Sequence, residues 1–434
     1  MSFGVHEPYS IPTSYQTQVS SECEREALLN PIQADAVVIG AGITGNTLAI
    51  HLAEAGKSVV QLEAKVPGWG GSGRAFGSVV PCHKNNEEAI IRHYGRKRGT
   101  GIIDALAEGP ALVSELLNRY KIDAAFDSDG WAFGAHTKAF EKILQNRAEY
   151  WQSRGADVEY LNAAEFNQLI GSEYYRAGLV DRRALSINPL AYAQGLFKAA
   201  HQLGVKQYNN TPAIGVEQKP NGNWQVTTPQ GSVECENIYF CTNAYTKGIW
   251  PGLEKGFVRV RGFGAATTVI DPAQLADILP QNHFITDTRQ LWSGIRKLPS
   301  GQIHLGIGGP AMGANGKADL KTASKRLKEV YPSIEFEWAE SWSGWIAISI
   351  DQFPRILHLA DGAWAAQGYS GRGLALATIL GRELSLCNGR SEREDLMLPV
   401  EQTPRVPFHP VSQLGAAMLI RWYAIQDYVA GQNR

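Results

Sequence analysis

The sequence predicts a two-domain protein of the α/β plus α+β class, with a discontinuous α/β domain on a parallel sheet and a second domain on a mixed or antiparallel sheet. A strand, a glycine-rich turn and a helix follow one another at 35–56, and the same order returns far along the chain at 363–386. Between them, 257–350 alternates apolar and polar residues with turn signals between the runs, which is typical of antiparallel strands. At 434 residues the chain is also longer than one typical hydrophobic core requires.

The first α/β unit is the most informative motif. It consists of a strand, the three glycines of a G-x-G-x-x-G turn, a helix, a second strand and an acidic residue: 35–39, Gly40, Gly42, Gly45, 46–56, 59–62 and Glu63. Gly40 permits the tight turn, Gly42 lets a pyrophosphate approach the backbone, and Gly45 lets the helix pack closely on the strand. The positive helix N-terminus attracts phosphate, and Glu63 is placed to accept hydrogen bonds from a ribose diol. The unit predicts a Rossmann-like domain that binds a dinucleotide; the alternative is a purely structural turn.

The remaining elements follow in chain order from the periodicity of apolar residues and from capping signals. Helices are predicted at 102–120, 140–151, 189–203, 318–330 and 374–386, and strands at 224–228, 237–240, 302–306 and 363–367. The predicted dinucleotide domain comprises 32–85, 155–255 and 350–412, and the predicted sheet domain comprises 86–154 and 256–349. An N-terminal extension and a C-terminal helix complete the chain, at 1–31 and 413–434.

The composition argues against several functional classes. Lys and Arg number 41 against 42 for Asp and Glu, and no basic stripe is present, so a nucleic acid is not an expected partner. The five cysteines are scattered without C-x-x-C spacing, which suits a reducing cytoplasm and predicts neither a disulfide framework nor a metal site. No signal peptide is recognisable, and no apolar run approaches the roughly 20 residues that span a bilayer. A cytoplasmic protein is expected; the amphipathic helix at 413–428 leaves a peripheral membrane contact open, although packing on the protein's own body is favoured.

Two further glycine clusters favour FAD over NAD. One cluster, 68–74, follows the first α/β unit, and the other, 368–373, precedes the helix at 374–386. A nicotinamide dehydrogenase needs one phosphate-binding turn, whereas a flavin enzyme must also hold a large tricyclic ring between turnovers. Additional glycine-rich loops let backbone N–H groups approach the edge of that ring. Three clusters, the last at a helix N-terminus, therefore predict FAD as the cofactor.

Taken in order, these motifs resemble those of the D-amino-acid-oxidase-like superfamily of FAD-dependent oxidoreductases, most closely its γ-glutamylputrescine oxidase branch. The matching segments span nearly the whole chain: Ser14-Tyr15, 40–45 with Glu63, 71–74 in place of G-A-S-G-R, 242–246, Arg296 with 299–301, 351–354, and 368–373 in place of G-[YF]-S-G-H-G. The resemblance implies bound FAD, a two-domain fold and oxidation of an amine or amino acid at a carbon–nitrogen bond.

The resemblance also implies roles for individual residues. The turn glycines would lie along the pyrophosphate, Glu63 on the ribose, and 371–373 at the isoalloxazine ring, where the following helix would stabilise negative charge. The implied cofactor-binding residues are Gly40, Gly42, Ile43, Thr44, Gly45, Glu63, Ala64, Gly71, Ser72, Arg74, Val216, Thr242, Gly368, Tyr369, Gly371, Arg372, Gly373 and Leu374. The implied catalytic residues are His304, Arg296, Tyr245 and Trp345. The candidates for an apolar wall around the substrate are Tyr245, Trp250, Trp292, Trp345 and Tyr369.

Three departures from the family pattern bear on the cofactor and the substrate. No cysteine stands just before 349–351, where relatives with a covalent flavin carry one, so FAD is expected to be non-covalent. The carboxylate-binding arginine of the amino-acid oxidases and a lysine of the sarcosine oxidases are both absent, so a substrate carboxylate would need another partner, Arg289 or Arg296. The oxygen-activating lysine of sarcosine oxidases falls on His304, which would hold positive charge beside the flavin or else be an ordinary sheet residue.

The function implied is the transfer of a hydride from the carbon next to a neutral amine nitrogen to flavin N5, followed by hydrolysis of the imine. Electrons would pass to O2 and give H2O2, and the substrate would be a γ-glutamyl amine or a secondary or cyclic amino acid. Three alternatives remain: a flavin dehydrogenase for an L-pipecolate or L-proline type substrate that passes electrons to a quinone or carrier, a flavin-dependent regulatory module, and a non-catalytic or NAD-binding Rossmann protein.

Overall fold

The structure is a computed structural model that describes residues 13–15, 23–126, 129–309, 316–387 and 396–432. The predicted N-terminal extension lies largely outside these residues. The helices within them are α1 (Ile43–Glu54), α2 (Glu87–Tyr94), α3 (Arg96–Ala107), α4 (Gly109–Arg119), α5 (Glu141–Gln152), α6 (Ala163–Ile170), α7 (Pro189–Gln202), α8 (Pro272–Asp277), α9 (Gly316–Val330), α10 (Gly373–Ser385) and α11 (His409–Gln432).

The strands fall into two large sheets and a small one. Those of the first half of the chain are β1 (Ile32–Ile39), β2 (Val59–Leu62), β3 (Ser78–Val79), β4 (Ala125–Phe126), β5 (Trp131–Ala135), β6 (Val158–Asn162), β7 (Ala177–Asp181), β8 (Leu185–Ile187), β9 (Lys206–Tyr208) and β10 (Gly215–Gln218). Those of the second half are β11 (Trp224–Thr227), β12 (Ser232–Phe240), β13 (Val258–Thr267), β14 (Phe284–Asp287), β15 (Ser293–Lys297), β16 (Ile303–Gly308), β17 (Trp338–Ile348), β18 (Arg355–Ala360), β19 (Ala363–Gln367) and β20 (Val400–Glu401).

The first sheet confirms the Rossmann-like prediction. Its order is β20-β18-β19-β12-β1-β2-β9, with β10 and β11 attached through β12. The central strand, β1, runs parallel to both β2 and β12, so that Val38 lies between Gln61 and Tyr239. Val38 belongs to the core on one face of the sheet, and Val37 and Ile39 belong to the core on the other face. A strand buried on both faces reads as a continuous apolar run, which is the pattern that the sequence carries here.

Two helices of this domain pack against each other at unusually short range. A Cβ atom on Gly381 of α10 would lie 2.7 Å from the carbonyl oxygen of Thr44 in α1, so glycine permits a backbone-to-backbone contact. Just before α10, the Tyr369 hydroxyl is 2.7 Å from Thr44 Oγ1, a hydrogen bond between residues 325 positions apart in sequence. This contact brings the N-terminal ends of α1 and α10 together.

The second sheet is mixed, in the order β17-β13-β16-β15-β14-β5-β7-β6. Its longest pairing is antiparallel, between β13 and β17, and β14 pairs with β5 in parallel. One predicted domain boundary is wrong: β6 and β7 belong to this sheet, although the segment from residue 155 onward was assigned to the dinucleotide domain. The two strands join the second sheet because β7 pairs with β5 along 131–135, a long-range contact that no local pattern reveals.

Several helix predictions are corrected in detail. The helix predicted at 102–120 is two helices, α3 and α4, because Pro110 at the second position of α4 lacks the N–H that a continuous helix would need. The sequence reading missed α2 and α6, although Asn86 caps α2 and a capping box of Asn162 and Glu165 begins α6. The last helix begins at His409 and is longer than predicted.

Candidate active site

A cavity of about 1330 Å³ lies between the two domains. One wall is formed by the β1–α1 turn and the start of α10, and the opposite wall by β13, β16 and β17 of the second sheet. Pockets for small ligands occupy about 300–1,000 Å³. The cavity is therefore large enough for a dinucleotide together with a small substrate.

The β1–α1 turn forms one end of this cavity. Gly40 has a φ of +106°, which favours glycine, and its N–H donates to the Leu62 carbonyl at the end of β2. The Glu63 carboxylate accepts hydrogen bonds from the backbone N–H of Ala41 and of Lys65, at 2.8 and 2.9 Å. Desolvation by burial raises the pKa of Glu63, while these hydrogen bonds oppose the shift. The acid is thus held beside the turn, where the sequence placed it.

The second glycine cluster is fixed against the first. Ser72 Oγ accepts a hydrogen bond from the backbone N–H of Ile43 at 3.1 Å, at the first position of α1. A Cβ atom on Gly42 would lie 2.8 Å from the same Ser72 oxygen, so only glycine fits between the two loops. Both loops line the cavity, and together they form a narrow surface of backbone and small side chains.

Arg74, Tyr245 and Trp345 lie together on the cavity wall. Arg74 Nη1 donates to the Ser343 carbonyl at 3.1 Å, and its guanidinium lies 4.6 Å from the ring centroid of Trp69. The Tyr245 hydroxyl accepts a hydrogen bond from the backbone N–H of Trp345 at 3.2 Å. Arg74 and Tyr245 therefore join the nucleotide domain to β17 through hydrogen bonds to its backbone.

The third glycine cluster presents a second helix N-terminus to the cavity. Gly371 has a φ of +91°, and a Cβ atom there would meet nothing within 4 Å, so glycine is needed for its backbone conformation and not for space. The preceding Ser370 donates its N–H to the Ala347 carbonyl of β17 at 3.1 Å. No side chain caps α10 at Arg372 or α1 at Gly42. The N-terminus of α10 thus reaches the cavity without a cap from the side chain of Arg372, whereas at α1 the Ile43 N–H is already accepted by Ser72 Oγ.

Most of the predicted residues line this cavity. They are Gly40, Gly42, Ile43, Thr44, Glu63, Ala64, Gly71, Ser72, Arg74, Thr242, Tyr245, His304, Trp345, Tyr369, Gly371, Arg372, Gly373 and Leu374. The structure places four others elsewhere: Gly45 and Gly368 support the loops from behind, Arg296 is buried behind His304, and Val216 is paired with Val226 in the β10–β11 hairpin. The lining next to Glu63 comes instead from Pro212 and Ala213.

Other lining residues were missed or misplaced by sequence reasoning. Lys84, Glu87 and Arg147 also line the cavity. Lys84 lies in the loop before α2, Glu87 in α2 and Arg147 in α5, and none of these segments carries a recognisable cofactor or substrate motif. The candidate wall residue Trp250 packs on Trp224 and Phe240 in the core, away from the cavity. Arg147 Nη2 lies 3.2 Å from Glu87 Oε1, an ion pair between residues 60 positions apart that no local pattern reveals.

The geometry fits a bound FAD. Its pyrophosphate requires backbone N–H groups at a helix N-terminus and glycines that leave room, and α1 with Gly40, Gly42 and Ser72 supplies both. Its ribose requires a carboxylate at the end of the second strand, which Glu63 supplies. Its ring requires a third loop with accessible N–H groups, and 371–373 at the start of α10 has that form.

Arg296 is the centre of a buried polar network behind the cavity. Its guanidinium donates to the Tyr15 hydroxyl, Ser186 Oγ and the Ile187 carbonyl at 2.7, 3.0 and 2.9 Å. Its Nε lies 3.3 Å from His304 Nδ1. Because the Arg296 nitrogens already donate to groups inside the protein and the side chain is 1% exposed, Arg296 is not placed to bind a substrate carboxylate. The other expected partner, Arg289, lines the cavity but is ion-paired with Glu329 at 3.1 Å.

His304 does not hold the positive charge that was one of the two roles expected for it from the sequence. Burial and the charge of Arg296 lower the pKa of His304 well below its ordinary value. Arg296 Nε can only donate, so His304 Nδ1 accepts and the ring proton lies on Nε2. The imidazole is therefore neutral, and the fixed positive charge in this part of the protein belongs to Arg296.

We expect His83 to make the protein acid-sensitive. Burial and the charge of Arg372 lower the pKa of His83 from 6.5 to about 4. The unfolded chain binds this proton below pH 6.5 and the folded chain only near pH 4, so stability is lost as pH falls through that window. The loss is about 1.4 kcal/mol per pH unit, roughly 3 kcal/mol in total. Urea unfolding between pH 7 and 4.5 should therefore show a shallower dependence for H83Q than for the wild type; equal slopes would contradict the assignment.

No helix among the described residues is long and apolar enough to span a bilayer. In the same parts of the chain, no cluster of three or more His, Cys, Asp and Glu residues is arranged to hold a metal ion.

Comparison with known proteins is consistent with this geometry. Residues 35–385 match the model of the DAO family, described as FAD dependent oxidoreductase. The gamma-glutamylputrescine oxidoreductase of Escherichia coli K12 is 27% identical over 430 residues, covering 95% of this chain and 97% of that protein. Two solved structures share the fold: glycine oxidase from Geobacillus kaustophilus (TM-score 0.69, 18% identity, 83% of this chain and 96% of that one) and L-proline dehydrogenase from P. horikoshii (TM-score 0.67, 17% identity, 82% and 93%).

Proposed function

The chain belongs to the DAO family of FAD-dependent oxidoreductases, and from this premise we propose that it oxidises the C–N bond of an amine or amino acid, with O2 as electron acceptor and H2O2 as product. The observation that carries the proposal is the convergence of three glycine turns from distant parts of the chain on one wall of a cavity. The second sheet and its loops contribute aromatic side chains to the same cavity, among them Phe133, Trp292 and Trp345. A substrate between the walls would be enclosed beside the cofactor.

The proposed chemistry divides between cofactor and protein. FAD, which the three glycine turns and Glu63 would hold, would supply a two-electron oxidation by hydride transfer from the carbon next to the nitrogen. The aromatic wall excludes water and so favours the neutral form of the amine, which is the form that can be oxidised. Tyr245 and Trp345, tied together by a hydrogen bond, would fix the orientation of the substrate. No protein nucleophile is required by this chemistry.

We propose a γ-glutamyl amine or a secondary or cyclic amino acid as the substrate. The first class follows the Escherichia coli relative, named gamma-glutamylputrescine oxidoreductase. The second follows the fold neighbour named L-proline dehydrogenase. Both classes combine an amine with a carboxylate, so they make the same demand on the cavity: an apolar region near the cofactor and a cation farther away.

Anaerobic titration of the purified yellow protein tests the proposal. Putrescine, γ-glutamylputrescine, L-proline, L-pipecolate and N-methyl amino acids are added in turn, and loss of the flavin absorbance is followed. We expect at least one γ-glutamyl amine or cyclic amino acid to bleach the flavin, and air to restore the colour within seconds with formation of H2O2. A flavoprotein that none of these compounds bleaches would contradict the proposal.

FAD is expected to dissociate intact when the protein is denatured. Cys241 is the one cysteine in the described cavity wall, and burial raises the pKa of its thiol well above the ordinary value. A protonated thiol is a poor nucleophile toward the flavin ring. After acid precipitation, the yellow colour should therefore be in the supernatant and should comigrate with authentic FAD. Colour retained in the pellet would indicate a covalent bond.

A second candidate is a flavin dehydrogenase that passes electrons to a hydrophobic carrier such as a membrane quinone. One observation favours it: α11 exposes apolar side chains every three or four residues on its outer side, while its other side lines the cavity. The exposed residues are Val411, Leu414, Met418, Trp422, Ile425 and Val429. In that case air would restore the flavin colour only over minutes, and a soluble quinone analogue would restore it within seconds.

A further inference from the structure

Arg372 is the one residue of the third glycine cluster that differs from the family pattern. The resemblance has histidine at this position of G-[YF]-S-G-H-G, and this chain has arginine. The residue lies at the start of α10, between Gly371 and Gly373, and is partly buried in the cavity wall. A bulky permanent cation thus replaces a smaller, titratable side chain close to the cofactor.

The guanidinium of Arg372 has a rigid platform but no anionic partner. It lies 5.1 Å from the ring centroid of Trp131, which is 1% exposed and donates its Nε1–H to Thr286 Oγ1 at 2.7 Å. No ion pair or hydrogen bond joins the Arg372 side chain to any residue that the structure describes. Removal of a cation from water is unfavourable unless an anion or acceptor compensates it. An anion bound in the cavity would supply that compensation.

The surroundings of Arg372 add further positive charge. Desolvation and then the Arg372 charge lower the pKa of Lys84, and desolvation and then the Arg147 charge lower the pKa of Arg372. Of these neighbours only Arg147 has a carboxylate, that of Glu87 at 3.2 Å. Over the whole cavity wall, eight Lys and Arg side chains oppose four Asp and Glu side chains. The pyrophosphate of one FAD would balance roughly two of the four surplus positive charges, which leaves the cavity suited to an anionic substrate.

We propose that Arg372, with Lys84 beside it, binds the carboxylate of the substrate. The guanidinium lies over the buried Trp131 ring, and a guanidinium held in this way is suited to a bidentate pair with a planar carboxylate. This inference rests on the proposed function and deepens it: the substrate is an amine that carries a carboxylate, and simple diamines are excluded. The backbone at 371–373 would remain available to the cofactor, while the Arg372 side chain serves the substrate.

Binding of a carboxylate probe to the holoenzyme tests this role without requiring turnover. Benzoate and its neutral counterpart benzamide are titrated into wild-type protein, R372M, R372K and K247M, and binding is read from the perturbation of the flavin absorption spectrum. Wild-type protein should bind benzoate at least tenfold more tightly than benzamide. R372M should weaken benzoate binding about 100-fold and leave benzamide binding unchanged, as expected for loss of a charge-assisted bidentate pair.

Two variants serve as controls. R372K keeps the charge but loses the planar pair of donors, so it should recover part of the preference. K247M removes another positive charge from the cavity wall, at an exposed position, and should keep the full preference for benzoate. All variants are compared at equal FAD content, measured by absorbance.

Three results would overturn the inference: no preference for benzoate in the wild type, an unchanged preference in R372M, or an equal loss in K247M. Loss of FAD from R372M, with normal selectivity after reconstitution, would assign the side chain to the cofactor and would also overturn it. Failure of the proposed function looks different: the protein would bind benzoate through Arg372, yet no amine would bleach its flavin.

Discussion

Replacing Gly45 with alanine is expected to abolish FAD binding and to destabilise the protein by about 3 kcal/mol or more. A Cβ atom at this position would lie 2.0 Å from the carbonyl oxygen of Gly40 and 3.3 Å from Val38 Cγ1. The nearest obstacle is backbone, so no side-chain rotation can relieve it, and α1 must move away from β1. That movement would also displace the turn formed by Gly40 and Gly42, on which the phosphates would bind.

Gly101→Ala is the matched control for this prediction. Gly101 lies on the exposed side of α3, and a Cβ atom there would meet nothing within 4 Å. Alanine is favoured over glycine inside a helix by up to about 1 kcal/mol, so this variant should be slightly stabilised and should retain FAD. Flavin absorbance of the purified proteins and urea unfolding check both variants. A G45A protein that retains FAD at wild-type affinity would contradict the role given to this contact.

Replacing Arg296 with methionine is expected to destabilise the folded state by about 3 kcal/mol. Methionine fills a similar volume, but the Ile187 carbonyl, the Tyr15 hydroxyl and His304 Nδ1 would each lose a buried donor. Urea unfolding at pH 7.5 measures the loss. Arg296→Lys keeps a charge but cannot reach all these acceptors, so it should recover only part of the stability.

The same Arg296 variant should change how stability depends on pH. In the wild type, His304 has a pKa well below 6.5 because of burial and then the Arg296 charge, so the unfolded chain binds its proton first as pH falls. Stability is therefore lost below about pH 6.5. Without the Arg296 charge the pKa of folded His304 should rise toward its ordinary value, and the loss between pH 6.5 and 5 should become smaller. An unchanged slope would show that Arg296 does not act on His304.

Most of the residues that the sequence assigns to the cofactor line this cavity. Glycine turns, helix starts and the acid after β2 are local features, because each depends on neighbours a few positions away. Glu63 and Gly42 lie on the cavity wall beside the β1–α1 turn for that reason. Val216 does not line the cavity, because it is paired with Val226 in the β10–β11 hairpin. Pro212 and Ala213, in the irregular segment before β10, line the cavity instead.

The substrate side could not be predicted in the same way. The roles of Arg296 and His304 depend on Tyr15, 281 and 289 positions away in sequence. Arg296 has its hydrogen bonds satisfied inside the protein, whereas Arg372 faces the cavity. This difference follows from how the two domains pack together. The periodicity of the sequence does not contain that information. The carboxylate partners predicted from the sequence were therefore Arg289 and Arg296, and Arg372 was not among them.

The hydrogen bond between Thr44 and Tyr369, with the close packing of α1 on α10, has a consequence for biosynthesis. Half of the cofactor-binding surface is made near the beginning of translation and the other half near its end. A ribosome-bound chain can fold β1, α1 and β2 early, but it cannot complete the surface until α10 has left the exit tunnel. Contacts of such high sequence separation form slowly, so acquisition of FAD is expected to be a late event that follows the synthesis of α10.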